Sequence, residues 1–189
     1  MTLLILGIAL WWGAHLFKRL APEARAAMTA RLGDGSKGVF ALLILAAVVL
    51  MVLGYRAAAF TPVWYPPPAM VHANNLLMLA AVALFGMGSS KGRARAWLRH
   101  PMLTGFAVWC IAHLLVNGDL ASLILWGALL VWVPVEIAVI NRAEGAWIRP
   151  EPGPAAGDLR WLGISAGVFA VIGTAHWLLG VWPFPGAVA

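Results

Sequence analysis

Few side chains in this sequence can do chemistry, and their apolar surroundings make each one conspicuous. His15, His72, His113 and His176 fall within long apolar stretches or at their margins, and His100 follows Arg99 at the start of another. Glu136 is the one carboxylate clearly inside an apolar run. Cys110 is the single cysteine, so no intramolecular disulfide and no multi-cysteine zinc or iron–sulfur centre can form. Cys110 and His113 are three residues apart, so on a helix they share a face with Phe106, Trp109 and Asn117. That face offers a sulfur and a nitrogen ligand beside flat aromatic surface, as a haem site needs. The same spacing also serves plain packing, with the imidazole satisfied by a neighbouring helix. An imidazole or carboxylate in hydrocarbon is costly, which makes each of these groups a functional candidate.

The elements that must position them are membrane spans. Of 189 residues, 62% are hydrophobic and 11% charged, against about 25% charged in a soluble domain. Six stretches are long and apolar enough to cross a hydrocarbon core about 30 Å thick. They lie at about 2–17, 38–60, 70–88, 101–117, 120–140 and 161–182. Breakers separate them: Gly33-Asp34-Gly35, Pro66-Pro67-Pro68, Ser89-Ser90-Lys91-Gly92, Asn117-Gly118-Asp119, and the Pro- and Gly-bearing stretch 150–157. The first span lacks a positive leader and a small-residue cleavage site, so it reads as a retained span. The expected fold is all-α: a polytopic integral membrane bundle of about six transmembrane helices, in a single domain over residues 1–189.

The formal net charge of +6 invites a nucleic-acid reading, but the basic residues form no dense block. Twelve of the thirteen lie in the first, third and fifth connections, and only Arg56 lies toward the other side. By the positive-inside rule those connections are cytoplasmic and both termini are periplasmic. The partner is the lipid bilayer, with no role for nucleic acid. At 1.5 Å of rise per residue, His15 and Glu136 fall in a cytoplasmic layer with Arg99 and His100. His72, His113 and His176 fall in an outer layer with Asn74, Asn75, Asn117 and Asp119. Arg99, His100, Glu136 and Arg142 form the expected secondary polar cluster, with ion pairing between the ends of two spans as its simpler reading.

Three features together resemble the NnrU family: the Gly13-Ala14-His15-Leu16 ending of the first span, the His72 segment opening the third, and Arg99-His100-Pro101 followed by the string from Trp109 to Asp119. The resemblance covers essentially the whole chain. It implies a bacterial inner-membrane protein linked to denitrification, with nitrite or nitric oxide reductase components as partners. The same segments are similar to the haem-dependent zeta-carotene isomerases, which use haem b to isomerise a cis double bond in a polyene. That similarity implies haem b as cofactor, His15 and His113 as ligands of its iron, Cys110 as an alternative ligand, and His72 at a further shared histidine position. By depth, His15 and His113 stand roughly 13–15 Å apart along the membrane normal, whereas two ligands of one iron at about 2.0 Å each stand about 4 Å apart. A His72 and His113 pair satisfies the depth rule better, so both pairings stand open.

Arg99-His100-Pro101, the turn after span four, and Glu136 with Arg142 and Glu144 also resemble the isoprenylcysteine and phospholipid methyltransferases, which bind S-adenosylmethionine. The chain lacks the paired glutamate expected after Arg142 and the tyrosine-bearing stretch beyond it. Three functions follow as expectations: a haem-dependent isomerase or redox protein acting on an apolar substrate, a non-catalytic assembly factor for a nitric oxide or nitrite reductase, or a membrane methyltransferase. The sequence assigns no catalytic residue.

Overall fold

A computed structural model of the protein describes residues 1–184. In chain order the helices are α1 (Thr2–Leu20), α2 (Pro22–Leu32), α3 (Gly35–Arg56), α4 (Met70–Met87), α5 (Pro101–Val116), α6 (Leu120–Glu144) and α7 (Ala155–Leu178), with a 3-10 turn at Ala94–Ala96. The all-helical expectation holds. Five helices, α1, α3, α4, α6 and α7, are long and apolar enough to cross a membrane, and α5 is an apolar helix of 16 residues. This is a multi-pass membrane protein.

The spans differ from expectation mainly at polar ends. The helix of α1 continues through Lys18 and Arg19, and that of α6 through Arg142 to Glu144. Hydrocarbon requires helical hydrogen bonding, but nothing requires it to stop where the apolar residues do. Within α6, Pro134 removes the amide that would bond the Leu130 carbonyl, and the helix carries on past it. The first connection contains α2, whose signals are Pro22 at the first helical position and Glu23 in the first turn.

The chain divides into two compact units. The first comprises residues 1–63 and 119–145, with α1, α2, α3 and α6. Here α1 lies against both α3 and α6. Its approach to α3 is backbone to backbone: a Cβ added at Gly7 would come within 2.8 Å of the Ala47 carbonyl and 2.7 Å of the Met51 amide. Gly54 meets the Leu4 backbone in the same way. Small residues at such positions let apolar helices gain close packing where no hydrophobic effect drives association. Tyr55 Oη and Ser122 Oγ, 2.9 Å apart, join α3 to α6, and Asp119 caps α6 by accepting from the Ser122 amide at 3.0 Å.

The second unit comprises residues 64–118 and the described residues from 146 onward, with α4, α5 and α7. There α4 packs on both α5 and α7. Gly105 of α5 sits so close to α4 that an added Cβ would be 2.9 Å from the Ala81 carbonyl. Trp161 of α7 donates its indole N–H to the Ala83 carbonyl of α4 at 2.7 Å. The turn leaving α5 is held by Asn117, whose amide group donates to the His113 carbonyl at 2.8 Å, and by the Trp64 amide donating to the Gly118 carbonyl at 3.1 Å.

Candidate functional site

In the first unit the chemistry-bearing residues lie on two matched ladders. Trp11, His15 and Arg19 are spaced by four on α1, so they stack along one face of that helix. On α6, Trp132 and Glu136 are likewise four apart, and Glu144 is two further steps along. The rungs meet in ascending order. The Trp11 and Trp132 rings are 5.5 Å apart edge to face, the His15 and Trp132 rings 5.0 Å apart, and Arg19 reaches Glu136 and Glu144. Ascending pairing means that α1 and α6 run in the same direction.

His15 is held on three sides. Its Nδ1 donates to the Trp11 carbonyl at 2.9 Å, and the Trp11 ring lies 4.2 Å from the imidazole. The acceptor is a carbonyl, so in the neutral ring the proton sits on Nδ1 and the lone pair on Nε2. This is how proteins orient an imidazole that ligates a metal through Nε2.

Arg19 is divided between two carboxylates. Its Nη1 is 3.3 Å from Glu136 Oε1 and its Nη2 is 2.9 Å from Glu144 Oε1. Glu136 is 4% exposed, and its second oxygen, Oε2, is buried with no hydrogen-bond partner among the described residues. A buried carboxylate is tolerated when it is paired, and Arg19 supplies that pairing.

The second unit arranges its candidates differently. Phe106, Trp109 and His113 form a ridge on α5 with edge-to-face rings, 5.1 Å and then 5.5 Å between centroids. Cys110, fully buried at 0% exposure, packs into the helix layer beside that ridge. His176 lies in the last turn of α7. Its Nδ1 donates to the Ile172 carbonyl at 2.8 Å, an arrangement like that of His15. His72 is exposed at the start of α4, whereas Asn74 is buried and donates to Asn75 Oδ1 at 2.9 Å. Pro101 opens α5 directly after Arg99 and His100, and the Thr104 amide and hydroxyl both close on the His100 carbonyl at 2.9 Å.

Among the secondary cluster, Glu136 takes its ion pair from Arg19, and Arg142 is exposed in the last turn of α6. The sequence singles out His15 and Glu136 by residue type and Glu144 by the methyltransferase resemblance, but not Arg19 or the two tryptophans that complete the ladders. The four-residue spacing of Trp11, His15 and Arg19 was visible, but its partner face on α6 emerges only from tertiary packing. Among the described residues no three His, Cys, Asp or Glu side chains gather as a metal site. A haem iron asks less of the protein, one or two axial ligands, and the oriented Nε2 of His15 is of the kind that could serve as one.

These features define a helical multi-pass membrane protein with its polar groups concentrated on facing spans. The family model described as NnrU protein matches residues 3–183, nearly the whole chain. The chain belongs to the NnrU family. No curated protein and no solved structure matches it.

Proposed function

We propose that this protein binds haem b in the membrane, with His15 as an axial ligand, and that it serves the reduction of nitrite or nitric oxide in a bacterial inner membrane. The observation that carries the proposal is the bond from His15 Nδ1 to the Trp11 carbonyl, which leaves Nε2 as the ligating nitrogen. Trp11 and Trp132 supply ring surface beside it, and the Arg19 and Glu136 pair fixes the adjoining turns of α1 and α6. Bound haem would supply one-electron chemistry and an iron able to take a small ligand such as nitric oxide. The residues of the chain orient the imidazole and set a guanidinium against the buried carboxylate beside it. His113, His72 and Cys110 are the further candidate ligands, each tested by its own substitution.

The test is an absorption spectrum of detergent-purified protein expressed with ample haem, oxidised and reduced, with a pyridine haemochrome assay. A Soret band is expected in the parent protein, and it should be lost or shifted in His15→Ala. Protein that is folded and loaded with no haem would overturn the proposal and leave the assembly-factor reading in its place.

A further inference from the structure

The second unit contains a groove of about 860 Å³ between α4 and α7 that has no part in the histidine chemistry. Its walls are apolar, with Val82 and Phe85 from α4 and Ile164, Val168 and Ile172 from α7. One end is different in kind. Ser89, Ser90, Lys91 and Arg160 line it, and no Asp or Glu does. Lys91 and Arg160 are exposed, so their charges are available to a ligand. The nearby carboxylate, Asp158, is already engaged: Arg93 Nε donates to it at 3.0 Å and the Ala94 amide at 3.0 Å. Ser90 Oγ is buried without a hydrogen-bond partner among the described residues. From Arg160 to Ile172 the groove follows α7 for about 18 Å, close to half the thickness of a hydrocarbon core about 30 Å across.

A basic, hydroxyl-bearing mouth on an apolar trough one leaflet deep matches an amphiphile with an anionic head. We propose that the α4/α7 groove binds one anionic phospholipid, its phosphate at Lys91, Arg160 and Ser90 and an acyl chain along Val82, Ile164 and Val168. The charge complementarity selects the headgroup, because a neutral or zwitterionic lipid gains nothing net from two uncompensated cations. The length of the trough selects a chain-bearing lipid over free phosphate. The proposal is independent of haem binding, since none of the groove residues is a candidate ligand.

Native mass spectrometry of the full chain released from micelles carrying phosphatidylglycerol or phosphatidylcholine tests it. The parent protein should retain one phosphatidylglycerol in clear preference to phosphatidylcholine. Each basic side chain contributes about fivefold, so Lys91→Gln with Arg160→Gln should weaken phosphatidylglycerol binding about 25-fold. Lys18→Gln with Arg31→Gln, which removes two cations outside the groove, should leave it within twofold. Ile164→Trp, which fills the trough and keeps the charges, should also lower retention. Equal retention of the two lipids by the parent protein would overturn the proposal without recourse to any variant. So would an equal loss in the two charge-neutralised pairs.

Discussion

In the first unit the buried carboxylate of Glu136 meets a guanidinium on a facing helix, whereas in the second the side-chain hydrogen bonds of Asn74, Asn117 and His176 stay within their own helix. Arg19 spans from α1 to two carboxylates of α6. By contrast, the buried Asn74 donates to its neighbour Asn75, Asn117 to the His113 carbonyl one turn back, and His176 to the Ile172 carbonyl. The contrast has an energetic content. A residue satisfied within its own helix keeps its partner when helices shift, but a charge satisfied across helices depends on their register. The first unit is therefore the more vulnerable to a single substitution, and α1 and α6 are the helices whose register its candidate site needs.

The sharpest way to break this contrast is Arg19→Met. Removing the guanidinium leaves Glu136 buried without its counter-ion, a change expected to cost about 3–5 kcal/mol. Thermal or denaturant unfolding in detergent, followed by helical signal, measures it. Adding Glu136→Gln should recover most of the loss, because the uncompensated charge is then gone and the double-mutant cycle isolates the pair. Additive losses would show that Arg19 acts through Glu144 or its packing and not through Glu136.

This pairing also marks the boundary of what the residues revealed before folding. The six apolar stretches were legible because a bilayer imposes a length of about 20 apolar residues on any crossing helix. Each of them became a helix, with ends shifted by up to about six residues where polar positions such as Arg142 and Asp158 continue a turn. By contrast, α2 is not legible as a helix of its own, because PEARAAMTARL carries no apolar face long enough to announce a span. At the site, His15 and Glu136 were legible as rare polar types in apolar surroundings. Nothing in its type or place singles out Arg19, since a basic residue at the end of a span is equally well explained by the charge bias. Only the meeting of α1 with α6 distinguishes the two roles, and that contact lies between residues more than a hundred positions apart.

A second, smaller effect is expected where the second unit is tightest. Gly105→Val places a side chain against the Ala81 carbonyl and Leu84 of α4, in space that an added Cβ would already enter at 2.9 Å. Overpacking of this kind typically costs about 1–3 kcal/mol. Its reading is local: the α4 and α5 pairing should loosen, and trypsin or hydrogen exchange should report it there, while the Arg19 and Glu136 pair stays intact. A loss confined to α1 and α6 would contradict the assignment of the two units as separately packed.

The smallest expected effect concerns the tie between α4 and α7. Trp161 Nε1 donates to the Ala83 carbonyl at 2.7 Å, and Trp161→Phe removes that bond while keeping most of the ring. The Ala83 carbonyl lies within α4, where a helical amide still serves it, so no acceptor is orphaned. The loss should therefore stay near the net worth of one hydrogen bond, about 1 kcal/mol. In unfolding experiments it should appear as a small shift, well below that of Arg19→Met. The ratio of the two is the test, because it sets a neutral bond to an already satisfied backbone group against a charge left buried alone. If Trp161→Phe proves as damaging as Arg19→Met, then α7 is held by this one donor far more than its packing implies, and the second unit would share the first unit's dependence on a single cross-helix contact.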